Sequence, residues 1–341
     1  MTQTLTDASR QLFARSPDEV HDSMQSLWDA CALSRSESRT QWVHPDGFVP
    51  DGHDTRLRLA LDGVQHDMTD WSFGQLCRLA NVSKDTINRL SPRTASHALA
   101  ETLPRGGKPL QVLGRDRTVR AIHPPSYTRV HDIDLLAIVK EFATDFEPPQ
   151  TGLGGATGLY RGEQDMFVFL IDPTGWTEID GEAFAPGFFL WNSEVGKRSL
   201  GVKTFWFQAV CQNHIVWDAT EVFEYSRKHT ASVEEALPEI RRRIHALVEK
   251  RDARRDGFVE VIRKAMRERI GDDQDEALKL LQKYGIQRTL AKDALGIAES
   301  QGRLTIFAVV DALTRLAGRM PNAGDRTEVD EKASSLLALA V

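Results

Sequence analysis

Residues 184–218 read FAPGFFLWNSEVGKRSLGVKTFWFQAVCQNHIVWD, and the fold class follows from them. Runs of aromatic and β-branched residues lie on either side of Glu194-Val-Gly-Lys197. The spacing predicts strands joined by a tight hairpin turn there, because glycine supplies the backbone conformation such turns need. Just upstream, GLYRGEQDMFVFLIDP (158–173) adds a further strand signal. These strands carry Phe167, Phe169, Phe188, Phe189, Trp191, Phe205, Trp206, Phe207 and Trp217. Alternation along a strand sends neighbours to opposite faces, so this aromatic load requires both faces of the sheet to be covered or used.

Working towards the N-terminus, LQVLGRDRTVRAI (110–122) alternates around Gly-Arg-Asp-Arg and predicts a β-hairpin. HPPSYTRV (123–130) breaks the strand with two prolines. HDIDLLAIVKEFATDF returns to helical spacing through Ile133, Leu136, Val139 and Phe142. Residues 71–103 place Phe73, Leu76, Leu79, Val82, Ile87 and Leu90 at helical spacings, with Ser83 as an N-cap and Ser91-Pro92 as a helix start. Such a pair resembles a helix-turn-helix, but short helix pairs mostly serve as packing units. Towards the C-terminus, Ser232-Val-Glu-Glu235 fits a capping box, and Ile240, Ile244, Leu247, Phe258, Val261, Ile262, Ala265 and Ile270 continue a helical stripe. The expected fold is α+β: an antiparallel, curved β-sheet with aromatic-rich strands flanked by helices, and a helical C-terminal region. The expected divisions are a polar, partly ordered N-terminal arm at 1–69, an α+β core at 70–230 and the helical region at 231–341.

Composition narrows the function classes. The chain has 341 residues, 41% hydrophobic and 27% charged, enough to bury a large core. There is no run of 18 apolar residues and no apolar stretch near the N-terminus, so the expected setting is cytoplasmic, away from membranes. Cys31, Cys77 and Cys211 lie far apart, which argues against a disulfide scaffold or a zinc site and for buried thiols. The formal charge of −6 conceals segregation. Residues 1–70 hold six basic and twelve acidic side chains, 84–131 hold nine against three, 132–196 two against twelve, and 239–270 eleven against six. Alternating blocks of this kind either attract one another within the fold or present an anion-binding surface.

Three motifs invite catalytic readings and do not carry them. GLGGATG (152–158) has no Gly-Lys-Ser/Thr and precedes a strand, so it predicts a tight loop rather than a phosphate cradle. Ten histidines include no His-Glu-x-x-His and no His-x-His-x-Asp. Cys211-Gln-Asn-His214 places its thiol in an apolar strand, where an inert role is expected. With no catalytic, metal or cofactor set, the remaining signal is cations interleaved with aromatics near strand ends: Arg115, Arg117, Arg120, Tyr127 and Arg129, then Lys197, Arg198, Lys203 and Trp206, then Arg227, Lys228 and His229. A groove of that kind would neutralise phosphates while rings stack on bases.

The same segments resemble a known family. VRAIHPPSYTRVHDIDLL, with Arg120, Tyr127, Arg129 and Asp132, together with FFLWNSEVGKRSLGVKTFWFQAVCQNHIVWDA, SRKHT and GRLTIFAVVDALTRLAGR, is similar to the phage/plasmid-like protein family called domain of unknown function 932. The resemblance runs from about residue 70 to the end, as a divergent member: His214, Gln208 and Asp311 stand where that family usually has Gly, Arg and Asn. It implies a mobile-element context and no assigned activity. The expected function is single-stranded DNA binding without a cofactor, in the manner of a phage-type annealing recombination protein acting as a homo-oligomer that could close into a ring. The alternative is an anti-defence or interaction factor of a mobile element that binds a host protein.

Overall fold

A computed structural model describes residues 11–53, 55–149, 158–208, 214–217, 224–230, 233–249, 251–302 and 304–340. Ser232, the glycine-rich loop except Gly158, and the Cys211–Asn213 part of the thiol motif lie outside these residues.

Among the described residues there are two sheets where one was expected. The first contains β1 (Glu19–Val20), β8 (Leu159–Arg161), β9 (Met166–Ile171), β11 (Glu182–Asn192), β12 (Leu200–Gln208) and β13 (His214–Trp217) in that order. β10 (Thr177–Ile179) pairs with β11, and β14 (Glu224–Arg227) with β12. Every pairing in it is antiparallel. β11 and β12 form the expected hairpin, with Gly196 at φ +76° in the turn.

The second sheet is built from β2 (Ser38–Val43), β3 (Phe48–Asp51), β4 (Arg58–Leu61), β5 (Val64–Met68), β6 (Leu110–Arg115) and β7 (Thr118–His123), ordered β2-β6-β7-β5-β4-β3. Its β6–β7 hairpin turns through Asp116, a non-glycine residue at φ +51°. β5 and β7 run parallel, joined by a helical crossover. Four of its six strands come from the segment read as an arm, and α1 (Met24–Glu37) precedes them. They are short and polar on one side, and β2 finds its partner some seventy residues away, so local pattern underweights them.

Helices then cover the apolar faces. α2 (Asp70–Leu79), capped by Thr69, and α4 (Pro92–Thr102), capped by Ser91, bury Phe73, Leu76, Cys77, Ala95 and Leu99 in the core with Val43, Leu59, Val112 and Ile122 of the second sheet. Between them Ser83 caps a single turn, α3 (Lys84–Ile87). The helix pair is a packing unit. On the first sheet, α1, α5 (Asp132–Phe142) and α6 (Ala236–Glu249) pack on the face that carries Val168, Leu170, Phe188, Leu190 and Val202.

The C-terminal helices α7 (Arg251–Ala265), α8 (Gln274–Lys283), α9 (Arg288–Ser300), α10 (Ile306–Ala317) and α11 (Ala323–Ser335) share a core of their own that also takes in Ile179, Phe184 and Trp206. α11 reaches the opposite face of the first sheet, where Ala323 packs with Phe167, Phe169, Phe189, Trp191, Phe205 and Phe207. Eight of the nine aromatics singled out on these strands are therefore buried by coverage on both faces, and the Trp217 side chain lies outside what is described. Among the described residues no helix is long and apolar enough to cross a membrane.

Candidate nucleic-acid interface

The hairpin turn after β11 inserts Glu194 between the two sheets. Its carboxylate lies 2.9 Å from Arg120 Nη1 of β7 and 3.2 Å from His131 Nδ1, and accepts from the Asp132 backbone N–H at 3.1 Å. Burial alone would raise this carboxyl, but the His131 bond and the Arg120 and Arg161 charges outweigh it and hold it well below the usual range. Asp132 takes Arg161 at 3.4 Å and Asn192 Nδ2 at 2.8 Å, yet burial and the adjacent Glu194 charge push its carboxyl up. Val195 packs with Leu113 and Ala121, and its carbonyl accepts from the Trp71 indole at 2.7 Å. The cluster joins the sheets through charges already matched.

Over this turn lies the segment after β7. Tyr127 donates to the carbonyls of Ser193 and Glu194 and stacks between His123, at 3.6 Å and 3°, and His229, at 5.4 Å. A Cβ at Gly196 would stand 2.8 Å from His123 Cε1, so the turn requires glycine for space as well as conformation. Burial drives His123 down to about 3 and His229 to about 4, with the Arg129 charge adding to both. Both rings are neutral near pH 7.

Arg129 leaves this stack half-buried, with its guanidinium over the Tyr127 ring at 5.5 Å. Its Nε donates to the Glu194 carbonyl at 3.0 Å, its Nη1 to Thr40 Oγ1 at 2.9 Å, and its buried Nη2 has no hydrogen-bond partner. Burial and the Arg120 and Arg35 charges lower its pKa, which leaves it a cation at any physiological pH. Around it the chain is knitted together: Thr128 N–H donates to the His229 carbonyl, and Gln111 donates to the carbonyls of Pro125 and Tyr127. Gln111 is the register partner of Trp42 on β2, whose indole is 56% exposed. Arg35, Arg227 and Lys228 are exposed too. The result is a strip: Arg35, Thr40 and Trp42 on one side, Arg129 in the middle, Arg227 and Lys228 on the other.

The twelve residues singled out from sequence thus separate into four groups. Tyr127, Arg129 and His229 come together, with His229 and Tyr127 as supports rather than exposed rings, while exposed Lys228 adjoins His229 in the chain and exposed Arg227 bonds the Tyr225 hydroxyl and faces Glu239 of α6. Arg115, Arg120, Arg198 and Lys203 are engaged by carboxylates: Arg115 by Glu37 at 2.6 Å, Arg120 by Glu194, Arg198 by Asp165 and Glu328, and Lys203 by Glu224 and Glu331. Arg117 is exposed at the β6–β7 turn, and Lys197 lies over the Trp71 ring at 5.6 Å, both away from the strip's hydrogen-bonded framework. Trp206 needs correcting outright. It is fully buried and stacked on Phe258 of α7 at 4.3 Å and 3°, so it cannot meet a base. Its place is taken by Trp42, which sequence reasoning missed. The available signal was alternation in SRTQWV, which puts Ser38, Thr40 and Trp42 on one side of a strand.

No family model, no curated protein and no solved structure matches this chain. The functional reading therefore rests on the site itself. Among the described residues no three His, Cys, Asp or Glu side chains are grouped to hold a metal ion. Cys31 and Cys77 are buried thiols, and burial pushes Cys77 up to about 11 and Cys31 further, so neither is a thiolate near neutrality.

Proposed function

We propose that the chain binds single-stranded DNA along the Trp42–Arg129–Lys228 strip, as a non-catalytic protein acting in the cytoplasm of a host cell. The observation that carries this reading is Trp42, an indole 56% exposed on the strand face that holds the Arg129 guanidinium through Thr40, with Arg35 and Lys228 as exposed cations on the flanking segments. Cations along a strip neutralise successive phosphates and release their counterions, while an exposed indole gives a base a surface to stack on. Neither contact reads base edges, so binding would be independent of sequence and leave the edges free for pairing. Strand annealing by a homo-oligomer is the cellular role this chemistry suits.

Fluorescence anisotropy of a labelled single-stranded oligonucleotide, titrated at low and moderate salt with light scattering on the same samples, tests the reading. Binding that weakens steeply with salt and is shared by unrelated sequences is expected. No binding at low salt would overturn it and leave the anti-defence or host-protein reading in its place.

A further inference from the structure

A second place in the molecule has the make-up of a ligand site. Residues 11–13, the loop 55–57, β5 and the approach to α4 enclose a cavity of about 780 Å³ that opens to solvent. That is within the range of about 300–1,000 Å³ typical of small-molecule sites. Its walls are fixed independently of any ligand. Buried Asn88 bonds the first wall from both ends: its side chain accepts from Phe13 N–H and donates to the Phe13 carbonyl, each at 2.8 Å, and its own carbonyl accepts from Leu12 N–H at 3.0 Å. The loop wall is anchored by Leu57, buried in the core of the second sheet. The third wall is the parallel β5–β7 pairing, Asp67 with Thr118.

The lining is two-sided. Phe13, Leu57, Met68 and Leu90 give an apolar side, with the Phe13 ring held by stacking on Phe73 at 4.4 Å. Arg56 and Arg89 are exposed cations on the same lining, and the Arg89 guanidinium bonds a backbone carbonyl, that of Asp85, through Nε. The carboxylate on the wall, Asp67, is engaged by Arg58 at 3.2 Å. A ligand that satisfies both sides carries a ring-sized apolar body and an anionic group that two guanidiniums can grip. We propose that this cavity binds a nucleoside monophosphate, the ring against Phe13 and the phosphate at Arg56 and Arg89. The same chemistry is offered by a free nucleotide and by the 5′-phosphorylated end of a strand. The cavity shares no residue with the strip, so the proposal does not rest on that reading.

Displacement of N-methylanthraniloyl-AMP from the full chain is the test, with AMP, adenosine, inorganic phosphate and a short oligonucleotide with or without a 5′-phosphate as competitors. AMP is expected to displace the probe better than adenosine or phosphate alone. Arg56→Ser with Arg89→Ser, both exposed, should weaken AMP binding about tenfold or more with an unchanged melting temperature. Arg227→Glu with Lys228→Glu should leave it intact, whatever that variant does to DNA binding. Displacement by AMP and by the phosphorylated but not the unphosphorylated oligonucleotide assigns the cavity to a strand end, and displacement by AMP but by neither oligonucleotide assigns it to a free nucleotide. No saturable probe binding, equal competition by adenosine, or indifference to the arginine substitutions would overturn the proposal.

Discussion

The β11–β12 hairpin and the strip both set cations beside aromatics, yet they are put to different use. On the hairpin, Arg198 just before β12 and Lys203 on it meet Glu328 and Glu331 of α11 at 3.1 and 2.9 Å, and Trp206 is stacked under α7. On the strip, Arg227 and Lys228 face outwards, and Trp42 keeps more than half of its surface in water. What separates them is the covering element. An acidic helix neutralises the first, whereas in the second the Arg129 guanidinium is held by a carbonyl and a hydroxyl, and Arg35 and Lys228 stay exposed. Charge pattern along a chain therefore says little about binding until the distant carboxylates are placed.

The sharpest way to break this comparison is to exchange the two tryptophans' fates. Trp206→Ala would empty a fully buried site and should cost about 3–5 kcal/mol in urea unfolding. Trp42→Ala should leave unfolding nearly unchanged, but cost about 1–3 kcal/mol in single-stranded DNA affinity measured by anisotropy. A stability loss at Trp42 comparable to that at Trp206 would mean that its indole is a packing residue.

Acid should loosen the strip from beneath. The folded pKa values of His123 and His229, about 3 and about 4, lie below those of the free side chain. Their contribution is full above about pH 6.5 and is lost as pH falls through the window towards 4, because the unfolded chain then binds the extra protons. At pH 5 the loss is about 2 kcal/mol for each ring, readable as a lower urea midpoint than at pH 7. Replacing both histidines by glutamine should flatten that slope, and a slope that persists would place its origin elsewhere. The smallest effect belongs to Lys203 on β12: Lys203→Gln should change stability by about 1 kcal/mol or less, since its partners Glu224 and Glu331 are themselves about half exposed.

Sequence made part of this legible. The β11–β12 hairpin turn, the caps at Ser83 and Ser91 and the C-terminal helices are local features, each set by a few adjacent residues. The second sheet is not local. β2 becomes a strand by pairing with β6, and β5 by lying parallel to β7, and neither pairing leaves a mark in its own short segment. At the site, Arg129 and Tyr127 were legible as a cation beside a ring. Trp42 was not, because its companions come from residues 111, 129 and 228 rather than from its neighbours in the chain. Nor could the sequence tell Lys203 from Lys228, since Glu331 lies more than a hundred residues away.

The most direct measurement of the central claim compares two double variants in the salt dependence of single-stranded DNA binding. Arg227→Glu with Lys228→Glu should weaken binding at least about tenfold and reduce the log–log salt slope by about 1.4, the loss of two phosphate contacts, while Arg198→Gln with Lys203→Gln should match the unaltered chain. Equal loss in both variants, or loss only in the second, would contradict the account and move the binding face to β12.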